Sequence, residues 1–238
     1  MSKRSTQHGV SNPRYDPATI ISELDRWVAI HGNGQYVPAD YEPLDPLALF
    51  PDYGIQQVCS ELHEFVAEIV GRGLSGTALE IGLGYYGSTH FLWRLMFKRV
   101  ITIEKSPDRC RAFARSYSNF YSGAWPSSDD RSAFILGLSS DPTVVRKTYD
   151  AAARQVDLLF IDGGHSYQAV LCDWLLYHKL VRRGGIVTFH DCVTDRSEVS
   201  EVPNFLAKLE SGAIDGKLYP LRRIVHSRHL GIAFYECT

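Results

Sequence analysis

The chain has 238 residues and a mass of 26.8 kDa, which at roughly 100–200 residues per domain is one large domain or a domain with a small appendage. With 45% hydrophobic and 22% charged residues, whole-chain disorder and collagen-like repeats are excluded, and the longest apolar runs, such as Val156–Ile161, fall short of the roughly 18 residues of a membrane span. Lys and Arg number 25 against 27 Asp and Glu, a net charge of −2, which makes no electrostatic case for nucleic acid or an anionic membrane as partner.

Residues 1–17 are polar and basic without an apolar segment, and read as a flexible lead-in rather than a secretory signal. Apolar residues at 20, 21, 24, 27 and 28 predict a helix over 18–30. Residues 31–54 set Pro and Gly between Tyr36, Tyr41, Phe50 and Tyr53, so no regular element is predicted there. Such a stretch is expected to be a lid over a site or a wrap across the core, with its tyrosines facing an acceptor. Residues 55–70 are predicted helical through Val58, Leu62, Phe65, Val66 and Ile69, stopped by Gly71 and Gly73. The expected division is thus residues 1–54 as tail, helix and lid or wrap, and residues 55–238 as the main domain.

From residue 77 strands and helices alternate. Strands are predicted at 77–81, 99–103, 132–136, 156–161 and 185–189, with helices at 88–97, 107–117, 142–153 and 167–180. The near-continuous apolar run 156–161 marks a strand buried on both faces. A helix over 203–209 precedes an antiparallel pair at 221–225 and 231–235. Repeated β-α units predict an α/β, Rossmann-like, doubly wound and mostly parallel sheet with helices on both faces.

In such sheets ligands bind beyond the carboxyl ends of the strands. The first strand ends in Glu80, followed by Gly82, Gly84 and Gly87 in G-x-G-x-x-G spacing, with Ser88 or Thr89 to cap the next helix. Glu104, ending the second strand, suits ribose hydroxyls. This pattern serves a nicotinamide dinucleotide or S-adenosylmethionine. A carboxylate at Glu80 is awkward beside a pyrophosphate and suits the cationic S-adenosylmethionine.

The fourth and fifth strands deliver Asp162, His165, His190 and Asp191 to one edge. Asp162 and Asp191 can supply oxygens to a hard divalent cation, with His190 as a third ligand. His165 suits a general base acting on a hydroxyl.

The segments EIGLGYYGST (80–89), FIDGGHSY (160–167) with Asp173, and GGIVTFHD (184–191) together resemble the class I S-adenosylmethionine-dependent methyltransferases. The likeness is to the branch with macrolide-sugar O-methyltransferases and cephalosporin-hydroxylase-like proteins. It implies a seven-stranded sheet of order 3-2-1-4-5-7-6 with strand 7 antiparallel. It also implies cofactor contacts from Glu80, Gly82, Gly84, Ser88, Glu104, Ser139 and Asp162, with Ser139 near the adenine. Asp162 and Asp191 would hold magnesium or manganese, and His165 would be the base. One departure is His190, where the sugar O-methyltransferases usually carry a carboxylate; another is Leu138, at a position often acidic.

The function expected is therefore an S-adenosylmethionine-dependent O-methyltransferase acting on a small hydroxylated molecule. The alternatives are a nicotinamide-dependent oxidoreductase, which the glycine spacing permits, and a non-catalytic partner protein that keeps the cleft. Five cysteines at 59, 110, 172, 192 and 237, none in C-x-x-C spacing, suit a reducing cytoplasm. The sequence leaves a homo-oligomer open.

Overall fold

The computed structural model describes residues 16–41, 53–121, 131–153, 155–193 and 200–238. Helix α1 (Pro17–Val28) starts where the Asp16 carboxylate accepts from the Thr19 amide at 3.0 Å, with Pro17 opening the first turn. Its apolar stripe, Ile20, Leu24, Trp27 and Val28, is buried in the main core. The Trp27 ring stacks on Phe91 at 4.3 Å between centroids. The N-terminal helix is thus built into the domain.

Residues 31–58 differ from expectation. Tyr36–Val37 forms a strand, β1, parallel to β2 (Ile55–Val58). Helix α2 (Cys59–Gly71) begins only after it. Apolar residues at 55 and 58 fit a helical stripe as well as a strand, so periodicity alone could not separate the two. Gly54, just before β2, lets the chain close against the end of α1: a Cβ there would lie 2.5 Å from the Val28 carbonyl oxygen. Part of the expected lid, residues 42–52, lies outside the described residues.

The main sheet contains β3 (Thr77–Ile81), β4 (Arg99–Glu104), β5 (Ser132–Leu136), β6 (Val156–Ile161), β7 (Val181–His190), β8 (Arg222–Ile224) and β9 (Ile232–Glu236). Their order is β5-β4-β3-β6-β7-β9-β8. In order of appearance within this sheet that is 3-2-1-4-5-7-6, and β9 runs antiparallel to β7 and β8. The expected fold is borne out. Strand β7 starts four residues earlier than expected and carries a register shift against β6.

The intervening helices are α3 (Ser88–Met96), α4 (Pro107–Phe120), α5 (Pro142–Ala151), α6 (Tyr167–Tyr177) and α7 (Val202–Glu210). Two apolar cores sandwich the sheet. One packs α1, α2 and α3 residues against Ala78, Leu158 and Phe160. The other packs Trp174, Phe205 and Leu206 against Leu79, Leu159 and Val187. Strand β6, at the centre, is buried throughout, as its apolar run implied. Among the described residues no helix is long and apolar enough to cross a membrane.

Candidate functional site

The parallel strands end on one edge, where a cavity of about 620 Å³ opens. Its lining includes Gly82 and Gly84 after β3, Glu104 at the end of β4, Ser139 after β5, Asp162 and His165 after β6, and His190 and Asp191 at and just after the end of β7. Residues far apart in sequence meet here because the right-handed crossovers return every strand in one direction.

The glycine turn is tight for a physical reason. Gly82 has φ +95°, and a Cβ there would lie 2.1 Å from the Asp162 carbonyl oxygen. Backbone of β3 and β6 therefore meets face to face at the cavity floor. Gly87, also left-handed, is the N-cap of α3. Ser88 is no cap: its hydroxyl donates to the Gly54 carbonyl at 2.6 Å and accepts from Trp27 Nε1. It lies outside the large cavity and lines a small recess with Tyr53 and Gln57.

Glu80 is also placed otherwise than expected. It is fully buried and does not line the cavity. Thr102 Oγ1 donates to Oε2 at 2.7 Å and Trp93 Nε1 to Oε1 at 3.2 Å. The carboxylate thus ties β3 to β4 and α3. Glu104, by contrast, lines the cavity while accepting from the Leu83 amide at 3.0 Å and the Ser106 amide at 2.8 Å. These bonds hold the glycine turn against the end of β4. Arg109 stands 3.7 Å from Glu104 Oε2, with its guanidinium 4.7 Å from the Tyr85 ring centroid.

At the other end of the cavity, Asp162, His165 and Asp191 each offer a ligand atom, all within 4.8 Å of one another. His165 Nε2 lies 3.0 Å from Asp191 Oδ2 and 4.0 Å from Asp162 Oδ1. Asp191 adopts φ +56°, a conformation Asp tolerates better than most residues, and this follows directly on the last residue of β7. Two carboxylates and an imidazole at this spacing fit a divalent cation that prefers oxygen ligands.

His190, expected as third ligand, is placed differently. Its side chain is buried, with Nδ1 3.2 Å from Asp162 Oδ1 and 3.3 Å from Asp191 Oδ1. Burial pulls its pKa down, but the Asp191 and Asp162 carboxylates outweigh burial and push it up to about 9. His165, expected only as base, completes the half-buried cluster in its place.

Sequence reasoning missed several residues. Strand β2 brings Gln56 to the cavity wall and Gln57 Nε2 to 3.3 Å from Asp162 Oδ2. Leu230, on the turn before β9, lines the cavity and packs with Val37, Val58, Tyr41 and Tyr53. Those tyrosines support the wall from behind. Tyr36 instead donates to Asp25 Oδ1 at 2.8 Å. Local sequence gave no signal for these contacts, because each joins segments far apart in the chain.

Comparison with known proteins gives a family and a fold. The family model described as a methyltransferase domain matches residues 71–192. An uncharacterized protein, R132, of Acanthamoeba polyphaga mimivirus is 48% identical over 42 residues, covering 18% of this chain and 19% of that protein. Among solved structures, CalS11, a TDP-rhamnose 3′-O-methyltransferase of calicheamicin biosynthesis, aligns with TM-score 0.56 and 12% identity, covering 92% of this chain and 93% of that one. The MycE methyltransferase of the mycinamycin pathway, solved with Mg, SAH and mycinamycin VI, aligns with TM-score 0.51 and 18% identity over 78% of this chain. This chain covers 51% of MycE.

Proposed function

This chain belongs to the methyltransferase-domain family, and from that premise we propose that it transfers a methyl group from S-adenosylmethionine to a hydroxyl of a small molecule, a sugar or a secondary metabolite. The single observation that carries this reading is one cavity joining the Gly82–Gly84 turn and Glu104 to the Asp162, His165 and Asp191 cluster. S-adenosylmethionine supplies an electrophilic methyl on sulfonium. A divalent cation held by Asp162 and Asp191 would stabilise negative charge developing on the acceptor oxygen. The likeness to CalS11 and to the Mg-bound MycE supports the substrate class and the cation.

The residues of this chain do the positioning. Gly82 and Gly84 bring the backbone close to the cofactor, and Glu104 presents a carboxylate to its ribose. His165 Nε2 stands 3.0 Å from Asp191 Oδ2, which leaves Nδ1 as the ring nitrogen that takes the hydroxyl proton. His190 holds both carboxylates from behind. Gln56 and Leu230 wall the cavity and limit water. Their work is orientation and charge placement.

The charge argument against a nicotinamide dinucleotide loses its basis, because Glu80 is buried away from the cavity. The discriminating experiment is therefore calorimetry with S-adenosylhomocysteine and with NAD, each with and without Mg²⁺. Micromolar binding of the S-adenosyl ligand alone is expected. Binding of NAD alone overturns the reading.

A further inference from the structure

Helix α6 begins two residues after His165, and its first residue is gripped from the start of α7. Glu201 stands at the N-cap position of α7. An acidic side chain there ordinarily accepts from an amide of its own helix. The Glu201 side chain makes no such bond, and the Ser200 hydroxyl accepts from the Val202 amide instead, at 3.3 Å. The Glu201 carboxylate turns to the neighbouring helix, where Oε2 accepts from the Tyr167 amide at 2.9 Å. The Glu201 amide donates to the His165 carbonyl oxygen at 2.8 Å. One residue thus holds main-chain groups on both sides of Ser166.

Two further contacts from α7 fix the same point. The Tyr167 ring packs against Phe205, with 6.1 Å between centroids, and the Lys208 ammonium lies 4.7 Å from its centroid. Ser166 closes the turn by accepting from the Ala169 amide at 3.3 Å.

His165 has need of such a hold. Its side chain is half-exposed, so packing alone does not fix its direction. The Asp191 carboxylate meets one edge of the ring, and the rest of its aim comes from where the backbone places the Cα–Cβ bond. Displacing a reacting group by about 1 Å can cost on the order of 10²-fold in rate. Glu201 does not line the cavity, so its influence on the reaction passes through His165.

We infer that Glu201 is a positioning residue: by locking residues 165–167 to the start of α7 it aims the His165 ring at Asp191 and at the acceptor oxygen. The inference rests on the proposed role of His165 as base and deepens it.

NMR relaxation on the full chain, labelled with ¹⁵N and with ¹³C-histidine, tests this. The His165 ring signal is the one that disappears in His165→Ala. In the wild type the amides of residues 165–167 are expected to be rigid, with order parameters of about 0.85. In Glu201→Ala they should fall below about 0.6, and the His165 ring should loosen while the buried His31 and His190 rings stay ordered. Glu201→Asp keeps the charge but is one methylene short of the Tyr167 amide, and should loosen His165 in the same way. Glu201→Gln keeps an accepting oxygen at full reach and should restore the wild-type values. A His165 ring as ordered as wild type in both Glu201→Ala and Glu201→Asp overturns the inference. Loosening of all three rings together identifies a general structural role and overturns it as well. Titration of the wild type with S-adenosylhomocysteine checks the underlying reading separately: absence of binding removes methyl transfer, whatever the rings do.

Discussion

Nδ1 of the buried His190 stands 3.2 Å from Oδ1 of Asp162. With Asp191 Oδ1 at 3.3 Å on the same nitrogen, the ring bridges both carboxylates of the candidate cation site. Replacing the bridge by a third carboxylate should strengthen the pull on a divalent cation and worsen repulsion without one. His190→Glu is expected to melt lower than wild type in chelator, and to reach half-maximal stabilisation at about tenfold lower Mg²⁺ or less. Thermal melts over a Mg²⁺ titration check this. An unchanged midpoint would show that Asp162 and Asp191 do not hold the cation.

Asp191→Asn isolates the charge at that position, because Asn also tolerates the left-handed backbone found there, φ +56°. Wild-type turnover should fall in chelator and recover with Mg²⁺ or Mn²⁺. The variant should lose turnover without recovery while still binding S-adenosylhomocysteine. Full wild-type activity in chelator would exclude a required cation.

His165 is 40% exposed on its side chain, so truncating it costs little packing. His165→Ala should lower kcat on the order of 10²- to 10⁴-fold, the range for losing a general base. The Kd for S-adenosylhomocysteine should change by no more than about threefold. Wild-type turnover in this variant, at saturating Mg²⁺, would remove the base assignment.

The two glycines of the turn should differ in sensitivity. In Gly82→Ala the new methyl meets the Asp162 carbonyl at 2.1 Å, which is backbone and cannot step aside. A destabilisation above about 3 kcal/mol is expected. In Gly84→Ala the nearest atom is Gln56 Oε1 at 3.4 Å, on a flexible side chain, so only the strain of φ +68° remains. That should cost about 1 kcal/mol. Urea denaturation of the two variants separates them, and equal losses would contradict the packing described.

The stability of Asp173→Asn should depend on pH in a definite direction. Burial raises the Asp173 pKa to about 6, against the pull of the Ser139 hydrogen bond. The folded chain thus holds this proton more tightly than the unfolded chain, whose value is about 3.9. Its burial therefore costs stability as pH rises from about 4 through 6, and the full cost is present above that. Without ligand, Asp173→Asn should be more stable than wild type by about 1–3 kcal/mol at pH 7.5. The advantage should shrink as the pH approaches 4.5. A difference independent of pH would mean that the carboxyl is not charged at a cost.

Much of this protein is legible from local sequence. Alternating apolar runs, glycine stops and proline starts mark the β-α units, and run lengths place β3, β5 and β6 at their observed bounds. Strand direction follows from the crossovers, so Gly82, Glu104, Asp162, His165 and Asp191 could be assigned to one edge from the sequence alone, while Ser139 came from the family resemblance. What only the tertiary structure decided is where each polar side chain turns. Glu80 and Glu104 both lie at or near the end of a strand, yet Trp93 and Thr102 draw one into the core while backbone amides fix the other at the cavity. His165 and His190 both stand at or after the ends of apolar strands and both line the cavity, yet one is half-exposed beside Asp191 while the other is buried with its Nδ1 between two carboxylates. The β1–β2 pairing that delivers Gln56 and Gln57 joins residues about twenty positions apart in the sequence. Periodicity reports which face of an element is apolar, and it is blind to the partner that a polar group finds across the fold. That partner is decided by packing, because burying a polar group is tolerable only where another chain segment supplies the hydrogen bond.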